Sequence, residues 1–151
     1  MKTYKTKAKS LSLIAVKESE SPFNAINISV SNDAYQFARQ FYHDDINLYE
    51  SFFLIMLNRA NNTKAFVKIS QGGTFSTVVD PMIVAKYAID SLASAVILVH
   101  NHPSGNLAPS KTDKDITQKI KNGLKLFDIK VLDHLIITED NYYSFADYAE
   151  I

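Results

Sequence analysis

The stretch that decides the fold is Ala95-Val96-Ile97-Leu98-Val99-His100-Asn101-His102-Pro103-Ser104-Gly105, continued by Asn106-Leu107-Ala108-Pro109-Ser110-Lys111-Thr112-Asp113. Its first five residues are wholly apolar and bounded by polar ones, the pattern of a strand buried on both faces. Pro103, Gly105 and Pro109 then force a turning loop, and Ser110 opens a helix that the spacing carries to about Phe127. If the chain is still extended at His100, the i, i+2 spacing sends the His100 and His102 imidazoles to one side. The loop returns the helix beside the strand end with Asp113 on its first turn. Two His and one carboxylate suit a four-coordinate zinc with one position left to water, the open arrangement of a catalytic site. Zinc makes such a water acidic near neutral pH, and a base must still carry its proton to the leaving group. Glu50 is the candidate base, because it stands where the polar segment 44–50 enters the apolar run Ser51 to Leu57 and burial there raises a carboxyl pKa. Taken one at a time these residues have other readings. A His-x-His pair can hydrogen-bond within a loop, Ser110 and Asp113 stand at capping-box spacing, and Glu50 alone reads as a solvated carboxylate. Jointly they converge at the carboxyl end of a buried strand, where α/β proteins place their sites.

Outward from this stretch the chain alternates strand-like and helix-like segments. Ser10 to Val16 and Ala25 to Val30 read as two N-terminal strands within residues 1–30, and Ala34, Tyr35, Ala38, Phe41 and Tyr42 recur at helical spacing up to about His43. Ser51 to Leu57, a polar turn over 58–63 and Lys64 to Ser70 predict a central hairpin, ended by Gln71-Gly72-Gly73. Asp80 and Pro81 open a second helix, and Ile129 to Thr138 and Tyr142 to Phe145 predict closing strands. No repeat, low-complexity tract or internal linker divides the chain, so residues 31–151 read as the main unit of a single α/β domain.

Composition sets the outer bounds. A chain of 151 residues with 46% apolar content is long enough to bury a conventional core without staples. The absence of Cys excludes disulfide frameworks, thiolate zinc sites and Cys nucleophiles, and any metal must use His or carboxylate. No apolar run reaches membrane-span length and the start has no apolar signal-peptide core, so the expected location is cytoplasmic, away from membranes. Sixteen Lys and Arg balance 16 Asp and Glu, which gives no bulk attraction to nucleic acid. The start holds Lys2, Lys5, Lys7 and Lys9, and the helix after Asp113 holds Lys114, Lys119, Lys121 and Lys125, but Asp113, Asp115 and Asp128 offset the second group. Both read as solvated charge. His134, beside Asp133 in a strand-like run, reads as a buried, hydrogen-bonded His and not a ligand. A zinc deaminase needs Cys ligands that are absent, and no phosphate-binding glycine loop precedes a helix.

The run His100-Asn101-His102-Pro103-Ser104-Gly105 with Pro109-Ser110 and Asp113 resembles the JAMM metalloprotease motif of MPN domains, in the form found in RadC-like JAB domain proteins. Gln71-Gly72-Gly73-Thr74, Leu132-Asp133-His134 and Ser144-Phe145 extend the likeness across about two-thirds of the chain. The resemblance implies a deaminase-like three-layer α/β fold with a mixed β-sheet flanked by helices. It implies that His100, His102 and Asp113 bind Zn2+, that Glu50 deprotonates the water, and that Ser110 hydrogen-bonds the oxyanion of a tetrahedral intermediate. The implied activity is a zinc-dependent metallopeptidase acting on a peptide or protein substrate. His and Asp ligands also accommodate manganese or iron. Two departures from the RadC-like form and one difference from eukaryotic proteases bear on partners. The Gly-rich hairpins of the family's N-terminal helix-hairpin-helix module are not found before Glu50, Met82 and Ile83 replace a basic-acidic pair, and Asn101 stands, as in RadC-like members, where eukaryotic JAMM proteases have Ser or Thr. Isopeptide specificity and DNA-repair chemistry therefore do not carry over. The alternative reading is a non-catalytic MPN-type module that binds DNA or protein, which would tolerate loss of Glu50.

Overall fold

Two strands with every residue buried form the middle of the molecule, β1 (Ser51–Leu57) and β3 (Ala95–Asn101). They pair antiparallel, with Phe52 opposite His100 and Leu54 opposite Leu98. The structure, a computed structural model, describes residues 22–73 and 76–151. Three further strands, β2 (Thr63–Gln71), β4 (Lys130–Ile137) and β5 (Tyr142–Ser144), complete a five-stranded sheet in the order β2-β1-β3-β4-β5. Among the described residues only β3 and β4 run parallel, so the sheet is mixed. A parallel pair needs a crossover, and α3 (Lys111–Lys125) supplies it.

Strand alternation divides the core into two layers. Phe53, Ile55, Leu57, Ile97 and Val99 face α1 (Ser31–Arg39), while Phe52, Leu54, Met56, Val96 and Leu98 face α2 (Pro81–Asp90) and α3. Helices thus cover both faces of the sheet, and the α/β three-layer expectation holds. His100 shares parity with Val96 and Leu98 and turns toward α3; Asn101 shares parity with Ile97 and Val99 and turns the other way. No helix among the described residues is long and apolar enough to cross a membrane.

Several boundaries differ from the sequence expectation. Residues 25–30 form no strand; Asn27 makes a single bridge to Asn62, and the pairing stops because the opposing chain turns at Asn61, whose φ is 59°. The hairpin of β1 and β2 is not central as a unit, since β2 is one of the two edge strands among the described residues and, of the pair, β1 alone lies inside the sheet. Helix α1 ends at Arg39, yet Phe41 and Tyr42 beyond it stay buried, and Phe41 stacks on Phe66. The apolar stripe therefore outlasts the helix. The run Ser10 to Val16 lies outside the described residues.

Helix α2 begins as the Asp80-Pro81 pair predicts, with the Asp80 Oδ1 accepting from the Met82 N–H at 2.9 Å. Asp80→Ala removes this cap and will cost about 1 kcal/mol, read as a lower urea midpoint with unchanged slope. An unchanged midpoint would mean that water satisfies the Met82 N–H equally well.

Candidate metal centre

Strand β3 continues through His100 to Asn101, and the i, i+2 geometry brings the His100 and His102 Nε2 atoms within 2.9 Å of each other. His100 is 1% exposed and its ring stacks on Phe52, the residue opposite it in β1. Ser110 caps α3: its Oγ accepts from the Asp113 N–H at 3.0 Å, and the Asp113 Oδ2 accepts from the Ser110 N–H at 2.7 Å. The capping box and the ligand reading prove compatible. The box orients the Asp113 carboxylate so that Oδ1 lies 3.2 Å from His100 Nε2 and Oδ2 lies 3.4 Å from His102 Nε2.

His100, His102 and Asp113 each offer one ligand atom, all within 4.8 Å of one another, and together they can hold a metal ion. The hydrogen-bond chemistry fits that role. The Asn106 carbonyl can only accept, so at 2.6 Å the His102 Nδ1 must donate to it. In the neutral ring the lone pair then sits on Nε2, facing His100 and Asp113. Bare nitrogen and anionic oxygen packed this closely want a cation between them. Burial opposes ionisation of Asp113, but the His100 and His102 imidazoles and the Ser110 N–H outweigh it and hold the carboxyl far below the ordinary carboxylate range. For His102 burial lowers the pKa, and Asp113, the Asn106 carbonyl and Glu50 outweigh it, for a net rise.

Glu50 is half-buried and lines the same cavity as these ligands, a cleft of about 660 Å³ that also takes in Ser110 and the segment 76–79. Its backbone is clamped, with the Gly72 N–H donating to the Glu50 carbonyl at 2.8 Å and the Glu50 N–H to the Gly73 carbonyl at 3.3 Å. Gly72 is obligatory there, because a Cβ would stand 1.8 Å from the Ser76 carbonyl oxygen. Burial raises the Glu50 carboxyl pKa, partly offset by His100 and His102. The structure thus gathers all five sequence-predicted residues, Glu50, His100, His102, Ser110 and Asp113, around one cleft.

Residues other than the five predicted ones support the site. Asn101, fully buried, accepts from the Ser51 N–H and donates to the Ile46 and Tyr49 carbonyls, each at 2.7 Å, which ties the turn carrying Glu50 to β3. His134 is fully buried, as the sequence suggests, and contacts His100 Nδ1 and Thr117 Oγ1. Burial pushes its pKa well below the usual imidazole value. Its neighbour Asp133 accepts from the Ser144 hydroxyl and the Ala146 N–H. Thr117 escaped the sequence reading, although its place one turn after Asp113 on the inward face is a usable signal.

A family model described as RadC-like JAB domain matches residues 28–150. A UPF0758 protein of Flavobacterium johnsoniae is 48% identical over 99 residues, covering 66% of this chain and 43% of that protein. The UPF0758 protein YfjY of Escherichia coli is 46% identical over 99 residues, covering 66% of this chain and 62% of that protein. A third, from Saccharophagus degradans, is 45% identical over 98 residues, covering 65% and 44%. The chain thus spans about half the length of these relatives, whose names state no activity. With most of its length matched by that model, and with a mixed, helix-flanked sheet that gathers two His and an Asp at one strand end, the chain belongs to the RadC-like JAB domain family.

Proposed function

We propose that this domain is a zinc-dependent hydrolase, a metallopeptidase that cleaves an amide bond in a peptide or protein. The observation that carries this reading is the convergence of three ligand atoms, within 4.8 Å of one another, at one end of a cleft that a half-buried carboxyl also lines. His100, His102 and Asp113 would hold the ion, which when bound polarises the scissile carbonyl and acidifies water. Glu50 accepts a proton from the attacking water at its carboxylate and returns it to the leaving nitrogen, a task suited to a carboxyl whose pKa burial has raised. The Ser110 hydroxyl already accepts from the Asp113 N–H, so its own hydrogen remains to be donated to the oxyanion developing in the cleft. Two of the α3 basic residues are paired, Lys111 with Asp115 and Lys114 with Glu150, which weakens the case for a nucleic-acid partner on that face.

The test begins with metal content by mass spectrometry on untagged protein kept free of chelators. Wild type is expected to carry about one zinc per chain, and His100→Ala none. Zinc at a hundred times its Kd will stabilise wild type by about 2.7 kcal/mol and leave the variant unmoved. Hydrolysis of a quenched fluorescent peptide library will stop on chelation and resume when zinc is restored. Wild-type protein that takes up no zinc after addition sinks this reading.

A further inference from the structure

Three side chains link the two ligand-bearing elements behind the metal centre. The Thr117 Oγ1 lies 2.6 Å from the Asp113 carbonyl oxygen and 2.5 Å from His134 Nδ1, and His134 Nε2 lies 2.7 Å from His100 Nδ1. The path leaves α3 at Asp113, crosses to β4 at His134 and ends on β3 at His100. The placement of hydrogens along it follows from one end. A carbonyl oxygen only accepts, so the single hydroxyl hydrogen of Thr117 is committed to Asp113. Thr117 can then only accept from His134, which puts a hydrogen on His134 Nδ1. His134 has no exposed surface and, among the described residues, no carboxylate bonded to its ring, so the ring is neutral and its Nε2 is bare. His100 Nδ1 must therefore donate. In neutral His100 the remaining lone pair sits on Nε2, the atom facing Asp113 Oδ1 and His102. The opposite order would demand two hydrogens of one hydroxyl.

We propose that Thr117 and His134 are positioning residues of the metal centre, forming with the Asp113 main chain a one-way hydrogen-bond chain that aims the His100 Nε2 lone pair at the ion. The inference rests on the metal-holding role given to His100 above. His102 gets the same alignment from the Asn106 carbonyl alone, while His100, deeper in the sheet, needs a relay to reach a main-chain acceptor. The residue that supplies this acceptor is itself a ligand, so a shift of α3 that moves the Asp113 carboxylate also disturbs the His100 tautomer.

Two measurements on the intact chain test it. In metal-free protein with 15N-labelled histidine, imidazole nitrogen shifts are expected to show hydrogen on Nδ1 of His134 and none on its Nε2; hydrogen on Nε2 overturns the proposal. Zinc affinity, read by competition with a chromophoric chelator, is expected to fall about 10- to 100-fold in Thr117→Val and to recover in Thr117→Ser, which restores the hydroxyl. A purely structural Thr117 would lower the melting temperature of the metal-free variant and leave zinc affinity unchanged, and that outcome overturns the proposal. Wild-type protein that binds no zinc overturns the metal reading itself, whereas a zinc-binding wild type matched by Thr117→Val overturns only the relay.

Discussion

Glu50→Gln will keep zinc at the wild-type level and slow hydrolysis about 10²- to 10⁴-fold, the usual contribution of a positioned acid–base group. The separation of the two effects follows from the geometry. Glu50 is not among the three residues whose ligand atoms converge, yet it lines their cleft. The glutamine side chain has nearly the same shape and keeps an oxygen to accept from the Thr77 N–H, which reaches Glu50 Oε1 at 3.4 Å. The Gly72 and Gly73 backbone bonds that clamp residue 50 do not involve its side chain. What the variant loses is a carboxylate able to take a proton. Chelator-sensitive cleavage of the peptide library, compared at equal zinc occupancy, checks this. Unchanged hydrolysis would assign the proton transfer elsewhere, and zinc loss would make Glu50 a ligand.

Asn101→Ala will destabilise the fold by about 3–5 kcal/mol, because it strands the Ser51 N–H and the Ile46 and Tyr49 carbonyls, two of those three bonds being fully buried, at about 1–3 kcal/mol for each group left unpaired. Against a total stability of about 5–15 kcal/mol this is a large share, and urea unfolding measures it directly. The variant also frees the turn before Glu50, so whatever fraction stays folded should hold zinc through His100, His102 and Asp113 and hydrolyse as poorly as Glu50→Gln. A loss under 1 kcal/mol would show that water replaces all three bonds and that the turn needs no tether.

The two predictions differ in how far the sequence foresees them. Glu50 can be picked out from the junction of a polar segment and an apolar strand. Asn101, placed between the two His, reads in the sequence only as a spacer within the motif until the structure shows its side chain on the opposite face of β3, bonded to backbone some 50 residues earlier. Hydrophobic patterning says which residues are inside and how often they alternate, but it does not say what a polar side chain at the sheet's end meets across the fold.

By itself, the sequence determined the class of fold and which residues are candidates for the site. The apolar runs settle where the buried strands β1 and β3 lie, Pro and Gly settle where the loop after β3 turns, and the i, i+2 spacing of His100 and His102 settles that their rings share a side. These are local consequences of backbone geometry. Tertiary structure alone decided the relay behind His100. The register of β4 on β3 slips by one residue between the Val96–Val131 and Ile97–Asp133 pairs, and this bulge reverses the alternation that would otherwise send His134 toward α1. After the slip His134 lies beside Leu98, on the α3 face, within reach of Thr117 and His100. A bulge depends on how two strands distant in sequence settle against the helices above and below them, and no window along one strand contains that information.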